Sequence, residues 1–360
     1  MRTRGTGYNP HNRFQPLTSD RDQDDGWYHD PDDMLCPDSV ATRVVDEQVR
    51  SIISHNQSPD VPFDQSINPY RGCEHGCVYC FARPTHAYWD LSPGLDFETQ
   101  LIAKPNGAQR LREALDKPGY VPSPIALGVN TDAYQPLEKQ RRLTRELLKV
   151  LRDYRHPVSI ITKGALILRD LDILAEMAAD GLCSVRVSLT TLDNDLKRKM
   201  EPRTAAPATR LKMIRELSGA GIPTGIILGP VIPFINDAEI ESILEAAAHS
   251  GASRASWIML RLPLEIHELF EDWLLRHFPD RARHVMNRIR DLRGGKAYDS
   301  RFGHRMRGQG IYADLIRQRF NRKARKLALN LHEAEPLRTD LFRRPGGEQL
   351  DLIPVTNLNH

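Results

Sequence analysis

The chain contains 360 residues, of which 40% are hydrophobic and 27% charged, a composition typical of a folded, water-soluble protein. It contains no run of about 18 apolar residues, which excludes a membrane-spanning helix. The polar start of the chain lacks the apolar core of a secretory signal. Five cysteines in a chain of this length do not make a disulfide scaffold, so we expect a cytoplasmic protein.

The net charge of +3 conceals an uneven distribution of charged residues. Eight aspartates and one arginine lie between Asp20 and Asp38, whereas residues 281–326 contain fifteen Lys or Arg and three Asp. A basic segment of this kind can bind the phosphates of DNA or RNA. It can equally be the solvated face of helices that cap the fold.

The N-terminal third of the chain offers few periodic elements. Residues 1–40 have no apolar period, which predicts irregular structure, and residues 42–53 have short apolar pairs that fit a strand or a short helix. Proline-rich turns and a group of three closely spaced cysteines follow.

From about residue 95, short apolar runs typical of buried strands alternate with amphipathic segments typical of helices. The predicted strands are 97–103, 124–130, 158–162, 185–189, 222–228 and 255–260. The predicted helices between them are 106–115, 137–154, 168–179, 207–220 and 238–249. This alternation predicts an α/β protein built from at least five parallel βαβ units, which suits a barrel or partial barrel. An open doubly wound sheet is the alternative, but no GxGxxG motif opens the first unit.

After residue 261 the pattern becomes helical, with predicted helices at 265–278, 282–292 and 311–329. The prolines and glycines of the last thirty residues predict a loose tail. We therefore expect an irregular acidic N-terminal extension, a barrel core, a helical basic C-terminal region and a flexible tail. These four parts span residues 1–55, 56–262, 263–330 and 331–360.

Cys73, Cys77 and Cys80 form a C-x3-C-x2-C motif, in which Gly72 and Gly76 relax the backbone. Thiolates this close can surround one compact metal centre. A structural zinc ion takes four ligands, commonly from paired C-x2-C elements, whereas three thiolates on a [4Fe–4S] cluster leave one iron open for chemistry. The alternatives are zinc with His75 or His86 as fourth ligand, and a disulfide or idle thiols. We interpret Cys36 as a loop thiol and Cys183 as a small buried hydrophobic residue.

This spacing, with the aromatic Tyr79 just before the third cysteine, resembles the radical SAM superfamily. The flanking sequence from Asn68 to His86 resembles the branch related to spore photoproduct lyase. The resemblance implies a partial (β/α)6 barrel that carries a [4Fe–4S] cluster in the loop after its first strand, at the end where barrel active sites are built. It also implies that S-adenosylmethionine binds the open iron and is cleaved by one electron to methionine and a 5′-deoxyadenosyl radical. The electron would come from a donor of the flavodoxin or ferredoxin type.

The resemblance further implies a set of residues that bind S-adenosylmethionine. We expect polar groups at strand ends to contact its amino and carboxylate groups, and Tyr79 and the segment 229–233 to lie near its adenine. The alternative for each is an ordinary structural role, such as a cap, a turn or a solvated charge. The candidate cofactor-binding residues are Tyr79, Asn130, Thr131, Asp132, Lys163, Ser188 and Arg203.

The substrate is not fixed by these patterns. The basic segment favours a nucleic acid, with repair or modification chemistry of a lyase-like kind. The alternatives are a non-catalytic, metal-stabilised nucleic-acid-binding protein and a radical SAM enzyme acting on a small molecule or a protein. Lyases of the related branch carry a cysteine just after the second barrel strand to return hydrogen to the product. Residues 129–132 contain no cysteine, so we expect that this protein is not a straightforward spore photoproduct lyase. Tyr134 is the candidate for a substitute hydrogen donor.

The C-terminal tail contains a short peptide that resembles the bacterial motif for binding the sliding clamp. It consists of Gln349, Leu350, Asp351, Leu352 and Ile353, with Ile353 in place of the usual aromatic residue. The alternative is that its apolar side chains dock on the protein's own surface.

Overall fold

A computed structural model describes residues 4–14, 41–331 and 335–345. The acidic run, Cys36 and the clamp-like peptide at Gln349, Leu350, Leu352 and Ile353 lie outside the described residues. No helix in the described ranges is long and apolar enough to cross a membrane.

The strands are numbered in chain order. They are β1 (Arg43–Asp46), β2 (Ile53–His55), β3 (Gln65–Ile67), β4 (Tyr70–Arg71), β5 (Gln100–Ala103), β6 (Ile125–Leu127), β7 (Val158–Thr162), β8 (Cys183–Ser188), β9 (Thr224–Val231) and β10 (Arg254–Met259). One sheet has the order β10-β9-β8-β7-β6-β3-β2, in which β3 and β6 to β10 are parallel and β2 is antiparallel to β3. These six parallel strands in sequential order confirm the predicted α/β architecture and fit the expected partial barrel.

The helices cover the outside of this sheet and extend beyond its last strand. They are α1 (Asp96–Thr99), α2 (Gly107–Leu115), α3 (Glu138–Arg141), α4 (Leu143–Asp153), α5 (Leu171–Ala179), α6 (Asn194–Met200), α7 (Pro207–Gly219), α8 (Ile240–His249), α9 (Ile266–His277), α10 (Pro279–Asp291) and α11 (Ile311–Lys326). The buried leucines and isoleucines of α2, α4, α5, α7 and α8 pack against the strands, and this layer forms the main core. The buried residues of α6, α9 and α10 form a second cluster with Val78 and Tyr79 of the cysteine-containing segment. Gly181 and Gly221 follow α5 and α7 with φ of 69° and 77°, left-handed values that suit glycine at a helix end.

The predicted strand at 97–103 is wrong in two respects. Its first residues form α1, and the remainder, β5, pairs with β1 and β4 in a separate three-stranded sheet rather than in the barrel. Local apolar residues could not reveal this, because Phe97 is buried against the cysteine-containing segment, where its carbonyl accepts a hydrogen bond from Cys73 N at 2.9 Å.

The predicted helix at 137–154 is divided into α3 and α4. Arg142 lies between them in a left-handed conformation with φ of 53°. The buried Glu138 carboxylate accepts a hydrogen bond from Thr144 N at 3.1 Å, as well as one from the Tyr70 hydroxyl. Glu138 therefore caps the start of α4, which a continuous helix would not allow.

The basic C-terminal region is helical, as the sequence predicts. On its last helix, α11, Arg319 pairs with Glu241 at 2.6 Å and Lys323 pairs with Glu245 at 2.8 Å, both on α8. Part of the positive charge of α11 therefore forms ion pairs that hold this helix against α8. Other basic side chains of this helix, at Arg322, Arg325 and Lys326, are exposed.

The expected flexible tail is wrong for residues 335–345. Phe342 packs against the rings of Tyr120, Tyr154 and His156, and Arg343 N donates a hydrogen bond to Tyr154 O at 3.0 Å. The Arg344 guanidinium donates to the carbonyls that follow α2. The prolines and glycines of this segment predict irregular backbone, but they do not show that one aromatic side chain anchors it.

Candidate active site at the carboxyl ends of the strands

Cys73, Cys77 and Cys80 line one cavity of about 520 Å³. The cavity lies at the carboxyl ends of the parallel strands, because one large part of its wall comes from residues that end or follow β6, β7, β8, β9 and β10. The rest of the wall comes from β2 and the segment after it, residues 54–63, and from residues 305–306. The cysteine loop, residues 72–81, turns tightly beside α1. A Cβ atom on Gly76, which has φ of 66°, would lie 2.6 Å from a Glu98 carboxylate oxygen, so this position requires glycine.

Cys73 and Cys77 are buried, Cys80 is half-buried, and the three thiols are close enough to influence one another's charge. Burial raises the pKa of Cys77 to about 12, and burial together with Asp132 and the other two thiols raises the pKa of Cys73. A metal centre that takes these sulfurs as thiolates must therefore displace their protons. Within the described ranges, no three His, Cys, Asp or Glu side chains are arranged to hold a single metal ion.

The two histidines considered as fourth zinc ligands are engaged elsewhere. His75 Nδ1 lies 3.3 Å from Asp132 Oδ2, and His86 Nε2 lies 2.9 Å from Gln100 O. The donor set along this wall therefore consists of three thiols, which fits a [4Fe–4S] cluster with one open iron better than a four-ligand zinc site.

A buried ion pair between Arg83 and Glu98 supports the cysteine loop. Arg83 donates to Cys77 O at 2.9 Å through Nε and to Glu98 Oε1 at 2.5 Å. Glu98 also accepts hydrogen bonds from Gly5 N at 2.8 Å and Thr6 N at 3.0 Å. The N-terminal arm, residues 4–14, is thus bound to the back of the loop, a role that its irregular sequence did not indicate.

The structure brings six of the seven candidate cofactor-binding residues to the cavity. Gly229 and Pro230, from the segment expected near adenine, line it as well. The six residues are Tyr79, Asn130, Thr131, Asp132, Lys163 and Ser188. Asn68, which sequence reasoning did not single out, fixes the position of two of them, since its Oδ1 accepts hydrogen bonds from Asn130 N at 2.9 Å and Thr131 N at 3.3 Å.

Asp132 joins the ends of β6 and β7. Its carboxylate accepts hydrogen bonds from Thr162 Oγ1 and Lys163 N, both at 2.7 Å, and from Tyr134 N at 2.9 Å. Burial raises its pKa, but His75 and these hydrogen bonds lower it more, so the pKa of Asp132 lies below its usual value. The carboxylate is charged at neutral pH and holds the two strand ends together.

Tyr79 and Lys163 meet on one wall of the cavity. The Lys163 Nζ lies 5.9 Å from the centre of the Tyr79 ring, and it forms no hydrogen bond with any described residue. Although burial opposes it, the neighbouring Cys77 and Glu201 raise the pKa of Lys163, so the ammonium group is charged at neutral pH. Its charge is directed into a cavity where an anionic group could bind.

Arg203 is the exception among the candidates, because it does not line the cavity. Its guanidinium pairs with Glu74, a residue of the cysteine loop, at 3.2 Å. The carboxylate that Arg203 binds thus belongs to the protein itself. Two residues before Arg203, the fully buried Glu201 lies next to the cavity wall. Its carboxylate accepts hydrogen bonds from Tyr79, Arg210 and Thr190.

Tyr134 is also placed differently from the expectation. Its side chain is buried in the main core, and its hydroxyl has no hydrogen-bond partner within the described residues. It does not line the cavity, so it cannot return hydrogen to a substrate there. The turn that begins at Asp132 directs this ring away from the strand ends, which residue spacing alone did not show.

Residues 67–247 match the Radical SAM superfamily. The chain belongs to the radical SAM superfamily. An uncharacterized protein of Mycobacterium tuberculosis is 38% identical over 234 residues, which are 64% of this chain and 68% of that protein. An uncharacterized protein of Methanocaldococcus jannaschii is 30% identical over 173 residues, covering 48% of this chain and 62% of its own.

Solved structures of spore photoproduct lyase share the fold of this radical SAM enzyme. A complex of that lyase with dinucleoside spore photoproduct has a TM-score of 0.57 at 15% identity, with 79% of each chain covered. A variant with bound AdoMet and dinucleoside spore photoproduct has a TM-score of 0.53 at 14% identity, also with 79% of each chain covered. At this identity the similarity is one of fold, and it confirms the barrel expected from the cysteine motif.

Membership in the radical SAM superfamily implies a [4Fe–4S] cluster and S-adenosylmethionine, and the residues present fit both. Three thiols without a fourth ligand suit a cluster with one open iron. The cavity beside them has the volume of an ordinary cofactor pocket, within the usual range of roughly 300–1,000 Å³. It also presents one unpaired ammonium group, from Lys163, for the carboxylate of a bound amino acid moiety.

Proposed function

We propose that this radical SAM enzyme acts on a nucleotide unit of DNA or RNA. In this proposal Cys73, Cys77 and Cys80 hold a [4Fe–4S] cluster, and S-adenosylmethionine binds in the adjoining cavity. The observation that carries the proposal is that the three thiols share one cavity with Lys163, and that the mouth of this cavity is basic and aromatic. When bound, the cluster supplies the electron that cleaves S-adenosylmethionine to methionine and a 5′-deoxyadenosyl radical, which removes a hydrogen atom from the substrate.

The polar side chains of the cavity have separate tasks. Lys163 binds the carboxylate of the methionine moiety, because its ammonium is charged and directed into the cavity. Ser188 forms only a long hydrogen bond, 3.4 Å to Gly229 O, so its hydroxyl is available to the cofactor. Asp132 acts as a positioning residue that keeps the ends of β6 and β7 together.

The mouth of the cavity supports a nucleic acid as the substrate. The rim loop, residues 292–310, carries Met306 into the cavity wall beside the basic side chain of Arg261 and presents Phe302 with 55% of its surface exposed. Phe81, on the cysteine loop, is 44% exposed. Exposed aromatic rings stack on bases and basic side chains bind phosphates, which together are the usual features of a surface for single-stranded nucleic acid.

The test is transfer of deuterium from the substrate to the cofactor. The reconstituted enzyme is reduced under anaerobic conditions with S-adenosylmethionine and oligonucleotides in which one nucleoside at a time is perdeuterated, and 5′-deoxyadenosine is analysed by mass spectrometry. We expect deuterium to be incorporated from at least one nucleoside, and none to be incorporated by the Cys77→Ala variant. Formation of 5′-deoxyadenosine without deuterium from any oligonucleotide would reject this substrate class in favour of a small molecule or a protein.

An electron donor of the flavodoxin or ferredoxin type completes the proposal, because each cleavage of S-adenosylmethionine consumes one electron. The chain presents exposed aromatic rings on and near the cysteine loop, since Phe81 is 44% exposed and Trp89 is 39% exposed. A donor of this type should support turnover in place of a chemical reductant.

A further inference from the structure

We propose that Arg261 binds a phosphate group of the nucleic-acid substrate at the mouth of the cavity. The inference deepens the proposed function and rests on it. Arg261 lines the cavity two residues after β10, the last strand of the parallel sheet. It is not part of the cysteine motif.

The described hydrogen bonds of Arg261 go to neutral acceptors and not to a carboxylate. Its guanidinium donates to Met306 Sδ at 3.4 Å and to the Tyr298 hydroxyl at 3.3 Å, which are long contacts to neutral acceptors. Its Nε is buried and has no hydrogen-bond partner within the described residues. Arg261 is half-buried, and leaving its buried Nε–H without an acceptor is costly, so this arrangement indicates that an anion from outside completes the site.

Other arginines in and around the cavity differ from Arg261 in this respect. Arg83 pairs with Glu98 and Arg210 with Glu201, both fully buried carboxylates. Arg305, which also lines the cavity, pairs with Asp60 at 2.5 Å. In the described part of the chain, no carboxylate forms an ion pair with Arg261. Arg261 is therefore the guanidinium of this cavity that is available to a substrate.

The surroundings of Arg261 fix its position and indicate a nucleotide. The guanidinium carbon lies 5.2 Å from the centre of the Phe81 ring, and Phe81 directly follows Cys80. An anion bound by Arg261 would thus be next to the cysteine loop. A guanidinium binds phosphate oxygens in a planar, two-pronged contact, and the exposed Phe81 ring beside it can stack on a base.

Lys163 does not compete for the same anion. It contacts the ring of Tyr79 at the ends of β7 and β8, whereas Arg261 follows β10, at the edge of the sheet. The two cations can therefore serve two anions, with Lys163 for the cofactor carboxylate and Arg261 for the substrate phosphate. Loss of Arg261 should reduce the affinity for nucleic acid and leave the affinity for S-adenosylmethionine unchanged.

The experiment measures binding of a fluorescein-labelled ten-residue oligothymidylate to the cluster-loaded enzyme by anisotropy between about 50 and 200 mM salt. The variants are Arg261→Gln, Arg261→Lys and the control Arg317→Gln, which removes an exposed charge from α11 that is paired with Asp314. For Arg261→Gln we expect about 10-fold weaker binding and a salt slope reduced by about 0.7, the value for one phosphate contact on a single strand. Arg261→Lys should recover part of the affinity, and Arg317→Gln should have little effect.

Iron content and equilibrium binding of S-adenosylmethionine verify that each variant has an intact site. Unchanged affinity and salt slope in Arg261→Gln, with normal binding by the wild type, would overturn the assignment of Arg261 and leave the proposed function standing. An equal loss in Arg317→Gln, or a loss of S-adenosylmethionine binding in Arg261→Gln, would also overturn it. Failure of the wild-type enzyme to bind the oligonucleotide even at low salt would reject both this inference and the proposed nucleic-acid substrate.

Discussion

The Tyr79 hydroxyl donates a hydrogen bond to the fully buried carboxylate of Glu201. Tyr79 belongs to the cysteine loop, whereas Glu201 follows α6, and a second bond from Val78 N to Met200 O at 3.1 Å joins the same two segments. Glu201 is in turn paired with the buried Arg210 of α7. The position of the loop between Cys77 and Cys80 is thus fixed by the ion pair of Glu201 with Arg210, two residues that are far from the loop in the sequence.

Replacement of Glu201 by Gln should destabilise the protein strongly, because it leaves the Arg210 guanidinium buried without a counter-ion. We expect a loss of about 3–5 kcal/mol in the free energy of unfolding, measured by urea denaturation of the metal-free protein at pH 7. The control is Glu245→Gln, which breaks the solvent-exposed pair with Lys323 and should have a much smaller effect on the free energy of unfolding. Equal effects of the two substitutions would contradict the role given to Glu201.

The contribution of Glu201 should also depend on pH. Burial raises its pKa, but Arg210 and Lys163 lower it more, from the ordinary 4.5 to about 2. A carboxyl group whose pKa is lower in the folded state stabilises the protein above its unfolded pKa and loses this effect as the pH falls through the folded value. The difference in unfolding free energy between wild type and Glu201→Gln should therefore narrow as the pH falls from 4.5 towards 2. A difference in unfolding free energy that stays constant over this pH range would contradict the low pKa assigned to Glu201.

Replacement of Gly5 by Ala should detach the N-terminal arm from the cysteine loop. An added Cβ atom would lie 1.7 Å from Gly76 O, so the arm must move, and the hydrogen bonds that Gly5 N and Thr6 N donate to Glu98 must break. We expect the variant to lose its cluster several-fold faster in air, followed by the decay of visible absorbance. Gly219→Ala is the matched control, because an added Cβ atom there meets no atom within 4 Å. Identical decay of both variants and the wild type would show that the arm does not protect the loop.

The predictable part of the site is local in the sequence, and the unpredicted part depends on tertiary contacts. The cysteine spacing identified the metal loop, and the polar residues after β6, β7 and β8 were found because parallel strands end at one edge. Arg203 was misplaced because its partner, Glu74, is distant in sequence. Arg261 follows β10 in the same manner as the other strand-end residues, and this signal could have identified it.

The fold shows the same division between local and tertiary information. Periodicity predicted the strands from β6 to β10, since each is a short, largely buried apolar run. It failed for 97–103 and for the docked tail because the decisive contacts, with Cys73 and with the rings around Phe342, are made by residues far along the chain.

Single substitution of Cys73, Cys77 or Cys80 by Ala should abolish cluster binding, because no other thiol of the described residues lines the cavity. The expected result is loss of the broad absorbance near roughly 400 nm and of the iron, which should amount to about four atoms per chain in the wild type. Cys183→Ala is the matched control, because this buried cysteine begins β8, at the other end of the strand from Ser188 in the cavity. A triple variant that retains full iron content would refute the ligand assignment.

The purified enzyme should not repair dinucleoside spore photoproduct catalytically. No cysteine follows β6, where residues 128–132 line the cavity, and the core position of Tyr134 excludes it as a substitute hydrogen donor. Anaerobic incubation with the dinucleoside, S-adenosylmethionine and reductant, analysed by chromatography, should give no more thymidine product than an enzyme-free control. Repair over many turnovers would overturn this expectation.

The most direct test of the central claim is the release of 5′-deoxyadenosine by the anaerobically reconstituted, reduced enzyme supplied with S-adenosylmethionine. We expect 5′-deoxyadenosine and methionine to form in equal amounts with the wild type and to be absent with the Cys80→Ala variant. The Lys163→Ala variant should require a higher concentration of S-adenosylmethionine, because the charge facing the cofactor carboxylate is removed. Absence of 5′-deoxyadenosine from a preparation that holds about four irons per chain, or its undiminished release by Cys80→Ala, would contradict the account.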